Sequence, residues 1–145
     1  MEKPKHPAKE HYEIILDSIA DGVFTVNLDM RIMSFNKAAE IITGVRKAEA
    51  IGRPCFEVLK ANACEKGCIL GRTIETGRPI VNMPIHIIRA DKRRIPISIN
   101  TSLLKDSRGE VIGGVETFRD LTVVNKLKRA LLKQHSFDDI VSKSK

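Results

Sequence analysis

The spacing of hydrophobic positions changes repeatedly along this chain, and each change marks a boundary between helical and extended stretches. Residues 11–19 place Ile14, Ile15 and Ile19 on one stripe, which predicts a short opening helix broken by Asp21-Gly22. Residues 23–28 are β-branched and aromatic and predict a strand. Asp29-Met30 turns the chain, and residues 31–35 return as the hairpin partner. Asn36 suits a helix N-cap, residues 37–43 the helix, and Gly44 its left-handed C-cap. Residues 48–51 and 54–59 read as further helical turns separated by Gly52. A helix over 69–76 stops at Gly77 and Pro79.

The second half turns to period two. Residues 80–89 are rich in Val, Ile and Met, and Asp91-Lys92 makes a turn. Over 94–104, Ile95, Ile97 and Ile99 alternate with Pro96, Ser98 and Asn100, so one strand face is buried. Residues 106–109 turn at a glycine, and 110–118 form a last strand in which Gly113-Gly114 marks a bend or a close backbone approach. Helical spacing resumes over 121–134, where Val124, Leu127 and Leu131 form a narrow apolar stripe with Lys and Arg on the other faces. Such a stripe pairs with a second copy of itself, which predicts a homodimer. The order predicts an α+β fold: a mostly antiparallel five-stranded sheet, short helices on one face, and an exit helix.

Composition narrows the picture. A chain of 145 residues with 42% hydrophobic and 30% charged positions can bury one core. No apolar run approaches the roughly 20 residues a membrane span needs. The charged, Pro-interrupted residues 1–9 read as a flexible tail and not as a signal peptide. An odd count of three cysteines points to a reducing cytoplasm rather than a disulfide framework. The net charge of +7 is dispersed over the tail, the loop Arg89–Arg94 and the exit helix, and aromatics are only 4%, so direct nucleic-acid contact is not expected.

The chemistry concentrates in Cys55, Cys64 and Cys68, which fall within fourteen residues. Three readings stand. They bind a soft metal or an iron–sulfur cluster, with His86 as a fourth ligand or with the fourth position open to a small ligand. They switch between thiol and disulfide, with Cys64 and Cys68 the easiest pair. Or they are small packed side chains with no cofactor. The spacing matches neither zinc ribbons nor ferredoxins. Carboxylates, serines and histidines show no catalytic layout, so enzyme activity within these residues is not expected.

Five stretches together carry a family resemblance: residues 16–23 (Leu-Asp-Ser-Ile-Ala-Asp-Gly-Val), Asn36 with Ala38, Ala39 and Gly44, Ile51-Gly52-Arg53-Pro54, residues 110–115, and Arg119-Asp120-Leu121-Thr122. In this order they resemble a PAS domain covering residues 10–122. The resemblance implies a pocket between sheet and helices, for which Phe24, Val26, Phe35, Phe56, Leu70, Ile87, Ile97 and Val115 are candidate lining. It also implies signal transmission through Asp120 and Thr122 into a helix over 123–135. Among cofactors known in that family, haem has only His86 as a candidate axial ligand. The flavin-binding Asn-Cys-Arg-Phe-Leu-Gln stretch is not matched by Arg53-Pro54-Cys55-Phe56-Glu57-Val58, so haem and flavin are not expected. Residues 135–144 are similar to the opening of the AAA+ ATPase module of sigma-54-dependent transcriptional activators, with Ser142 where that opening has glycine. Residues 136–145 are therefore expected to start an ATPase module whose phosphate loop lies outside this sequence. In the parent protein that module would act on sigma-54 RNA polymerase.

Overall fold

A computed structural model describes residue 11, residues 14–15, 20–61 and 68–143, with side chains as far as Lys133. The expected tail at 1–9 lies outside the described residues, as do Cys64 and most of the expected first helix. His11, Ile14 and Ile15 are helical. The ordered elements are β1 (Gly22–Asn27), β2 (Ile32–Phe35), α1 (Lys37–Thr43), α2 (Lys47–Ala50), α3 (Cys55–Leu59), α4 (Ile69–Thr76), β3 (Ile80–Ile88), β4 (Arg94–Lys105), β5 (Val111–Asp120) and α5 (Thr122–Lys143). The strands form one five-stranded antiparallel sheet in the order β2-β1-β5-β4-β3, so the first and last strands pair at its centre.

Local chemistry sets these boundaries. Asn36 Oδ1 accepts from Ala39 N at 2.9 Å to cap α1, and also from Val23 N at 2.8 Å, while Asn36 Nδ2 donates to the Asp21 carbonyl at 3.0 Å. One buried amide therefore ties the start of β1 to the first helix. Gly44 closes α1 at φ 74, as its position predicts. Gly113 is required by crowding: a Cβ there would sit 1.8 Å from the Val26 carbonyl oxygen, where β1 and β5 pair.

The register fixes the face that the helices cover. Phe24 lies opposite Glu116, Thr101 opposite Glu116, Ile99 opposite Phe118, and Ile85 opposite Ile97. Cross-strand partners share a face, so these side chains form one layer, and α4 packs on it with Leu70 and Ile74 against Gly114. Phe24, Val26, Phe35, Leu70, Ile87, Ile97, Ile99 and Phe118 are buried in this core. The Phe24 ring lies 6.0 Å from Phe118 and 6.4 Å from Phe35.

The exit helix starts at the expected place but runs on as backbone to Lys143. The stripe that predicts an end at 134 finishes at Leu131. No proline or glycine follows it, so nothing local stops the helix. Among the described residues no helix is long and apolar enough to cross a membrane.

Candidate functional site

Three backbone links place α3 beside the sheet. Ile32 N donates to the Arg53 carbonyl at 2.9 Å, Cys55 N to the Met30 carbonyl at 3.0 Å, and Ile88 N to the Lys60 carbonyl at 3.3 Å. Cys55, the first residue of α3, is thereby buried against the core. Cys68 is exposed and stands at the N-cap of α4, where its Sγ accepts from Gly71 N at 3.3 Å. The two thiols hydrogen-bond each other across the gap between the helices.

A cavity of about 560 Å³ opens at this point, bordered by Met30, Cys55, Phe56, Lys60, Ala61, Cys68 and Ile88. Its size suits a small organic molecule. Beneath it a void of about 20 Å³, room for one water, shares Cys55, Ala61 and Cys68 and reaches Leu70, Ile85, Ile99 and Glu116. Glu116 is 4% exposed, and among the described residues its Oε2 has no hydrogen-bond partner.

The electrostatics follow from these positions. The hydrogen bond from the Cys55 thiol lowers the Cys68 pKa to about 6. Burial opposes that shift, and the backbone N–H groups of Gly71 and Leu70 reinforce it. Burial, with the negative charge on Cys68 as the second cause, raises the Glu116 pKa to about 8. At neutral pH the cluster therefore holds a thiolate at the rim, a thiol donating to it, and a protonated carboxylic acid behind both.

The structure brings together some of the residues singled out from the sequence and separates others. Cys55, Cys68 and Phe56 meet at the cavity, with Phe56 58% exposed. Leu70 borders the small void. Phe24, Val26, Phe35, Ile87 and Ile97 fill the core and border neither space. Two expectations need correction. Val115 pairs with Thr25 and Ser102 and shares their face, opposite the one holding Glu116 and Phe118. The glycines at 113 and 114 hide the strand's alternation, so its aliphatic residue was assigned to the wrong face. His86 alternates between Ile85 and Ile87 and pairs with Pro96, on the face away from the Ile85 side chain that borders the thiols. It does not join them as a fourth ligand.

Among the described residues no three His, Cys, Asp or Glu side chains converge as a metal site. Of the cysteines called as ligands, the described residues include Cys55 and Cys68, two of the four that an iron–sulfur cluster takes, and Cys64 lies outside them. Glu116 escapes a reading based on apolar periodicity. The one signal for it is an acid at the inward parity of Phe118 within a strand.

At the other end of the site, β5 passes into α5. Asp120 Oδ1 accepts from Thr122 N at 2.8 Å and from Thr122 Oγ1 at 2.6 Å, and Leu121 N donates to the Pro96 carbonyl at 2.9 Å. The carboxylate caps the helix at the residue where the strand ends. Val124, Leu127 and Leu131 are exposed along α5, together with Val123 and Leu132.

An antiparallel sheet with short helices on one face, a cavity among them and a capped exit helix make up the architecture of this domain. The PAS domain family model matches residues 20–123, and the chain belongs to that family, whose members are sensory modules of signal-transduction proteins. It is 32% identical over 119 residues to the signal transduction histidine-protein kinase AtoS of Escherichia coli, covering 82% of this chain and 19% of that protein. It is also 32% identical over 137 residues to the cyclic di-GMP phosphodiesterase PdeB of Shewanella oneidensis, covering 91% of this chain and 15% of that protein. The chain thus spans under a fifth of the length of these curated relatives. The crystal structure of a PAS domain from Colwellia psychrerythraea superposes with a TM-score of 0.67 at 19% identity, covering 79% of this chain and 98% of that one.

Proposed function

We propose that this PAS domain is the input of a signalling protein, taking a small ligand or a thiolate-held group into the cavity at Cys55, Phe56 and Cys68. The observation that carries this reading is the placement of Glu116. It reaches the thiol cluster from β5, the strand that ends in the Asp120–Thr122 cap of α5. Occupancy of the cavity shifts that strand and re-aims the helix it caps. The exposed stripe Val124, Leu127 and Leu131 then pairs two copies, and the dimer carries the change onward.

For the output, the resemblance of residues 135–144 favours an AAA+ ATPase acting with sigma-54 RNA polymerase. A kinase and a cyclic di-GMP phosphodiesterase among the relatives show this class of input joined to other outputs, so a kinase core is the rival assignment. In either case this domain itself makes no direct nucleic-acid contact, and the work is done in the cytoplasm.

The test is purification of the full chain with and without oxygen, followed by native mass spectrometry, metal analysis and absorbance near 400 nm, where thiolate-bound iron absorbs. The expected result is a bound mass or colour that is lost when Met30→Trp narrows the cavity. Protein that carries neither from either preparation, and that gains no bound mass from a library of small apolar molecules, would overturn the sensor reading.

A further inference from the structure

We propose that Cys68 is a peroxide-reactive thiol and that Cys55 resolves it, so that oxidation closes a Cys55–Cys68 disulfide at the cavity mouth. Three placements carry this. Cys68 is exposed to solvent at the rim, so an oxidant reaches it. Cys55 lies buried directly behind it and already hydrogen-bonds its sulfur, so a resolving thiol is in contact before any oxidation. The N-terminus of α4 offers Gly71 N–H to the sulfur, which favours its anionic form. A second feature points to the same spot: Glu116, buried and with no partner for its Oε2 among the described residues, reaches this cluster and feels the Cys68 charge.

The chemistry balances with a hydroperoxide as oxidant. The Cys68 thiolate attacks the peroxide oxygen, the O–O bond breaks, and Cys68 becomes a sulfenic acid while hydroxide leaves and takes up the proton that the Cys68 thiol released to solvent on ionising. The Cys55 sulfur then attacks the Cys68 sulfur and gives up its proton, the S–O bond breaks, and water leaves. Two thiols and one hydrogen peroxide become one disulfide and two waters. With its pKa near 6, Cys68 is mostly thiolate at pH 7, roughly thirtyfold more so than an ordinary cysteine. Lower basicity also blunts its nucleophilicity, so the rate gain is several-fold rather than thirtyfold.

Oxidation removes the Cys68 charge, and with it one of the two influences that hold Glu116 protonated. Among the described residues, the groups facing this acid from the packed elements are Cys55 on α3 and Cys68 at α4, with Lys60 on the outer wall of the cavity. The Glu116 pKa therefore moves down when the disulfide forms. Burial, the larger cause, remains, so a change in thiol state lowers the pH at which the strand leading to α5 takes on charge.

The experiment treats the full chain with hydrogen peroxide and maps disulfides by mass spectrometry under non-reducing conditions. Wild type and Cys64→Ser should both give a Cys55–Cys68 bridge, with a rate half-maximal near pH 6 and flat above pH 7. Cys55→Ser should accumulate a Cys68 sulfenic acid trapped by dimedone. A bridge through Cys64, a rate that keeps rising to pH 9, or no oxidation of Cys68 in the folded wild type would each overturn the proposal. The wild-type and Cys64→Ser arms decide it even if Cys55→Ser does not fold.

Discussion

Replacing Glu116 by Gln keeps the shape of a protonated carboxylic acid but removes its ability to ionise, and the consequence is a change in how stability depends on pH. In the folded protein Glu116 stays protonated up to about pH 8, whereas its ordinary value is 4.5. Between those values the unfolded chain binds fewer protons than the folded one, so stability falls as pH rises. The contribution is fully present below pH 4.5 and lost as pH rises through 8. Over that whole span the shift corresponds to roughly 5 kcal/mol, of which roughly 3 to 4 falls between pH 5 and pH 8. That is a large part of the margin of a small domain. Cys68 acts in the opposite sense: its pKa is depressed from 9.0 to about 6, so it adds stability as pH rises through that window. Its exposure to water weakens this slope. Urea denaturation of wild type and Glu116→Gln at pH 5, 6, 7 and 8, with both proteins kept reduced, measures the difference directly. The variant should match wild type near pH 5 and exceed it by several kcal/mol at pH 8. A gap that stays constant within about 0.5 kcal/mol over those pH values would refute a buried neutral acid at this position.

Other positions give simpler tests. Asn36→Ala leaves the buried Val23 N–H unsatisfied and uncaps α1, so it should cost about 2 to 3 kcal/mol by urea denaturation. Gly113→Ala drives a methyl into the Val26 carbonyl and should disrupt the β1–β5 pairing, read as a loss of slow-exchanging amides in those two strands. Asp120→Ala removes the cap on α5 at a cost of about 1 kcal/mol, and hydrogen exchange should show faster opening of residues 122–126 with the sheet unchanged. Leu127→Asp on the exposed stripe should convert a sedimenting dimer to monomer without loss of helix signal.

Most of the fold was legible because its cues are local. Asn36, Gly44 and the alternation of Ile95, Ile97 and Ile99 each act within a few residues, and the structure keeps all three. The site was harder to read because it depends on contacts distant in sequence. The clustering of the cysteines marks the site, but the Cys55–Cys68 contact is assembled by α3 and α4 meeting over β5, so spacing alone does not single out that pair. Phe56, a candidate lining residue, borders the cavity from its rim because Cys55, Val58 and Leu59 take the buried side of α3. Val115 stands out in the sequence and Glu116 does not for a related reason. Hydrophobicity marks the inward face only where large apolar residues alternate, and β5 places glycines at 113 and 114.

The central claim is that a change at the thiol cavity reaches α5 through β5. It is tested most directly by filling the cavity and watching the helix. In Cys64→Ser protein, alkylating Cys68 with N-ethylmaleimide places a bulky group at the mouth, and amide hydrogen exchange over residues 119–133 reports the far end. Exchange there should change on alkylation, and Asp120→Ala should abolish that change. Identical exchange over 119–133 before and after complete alkylation would contradict the account.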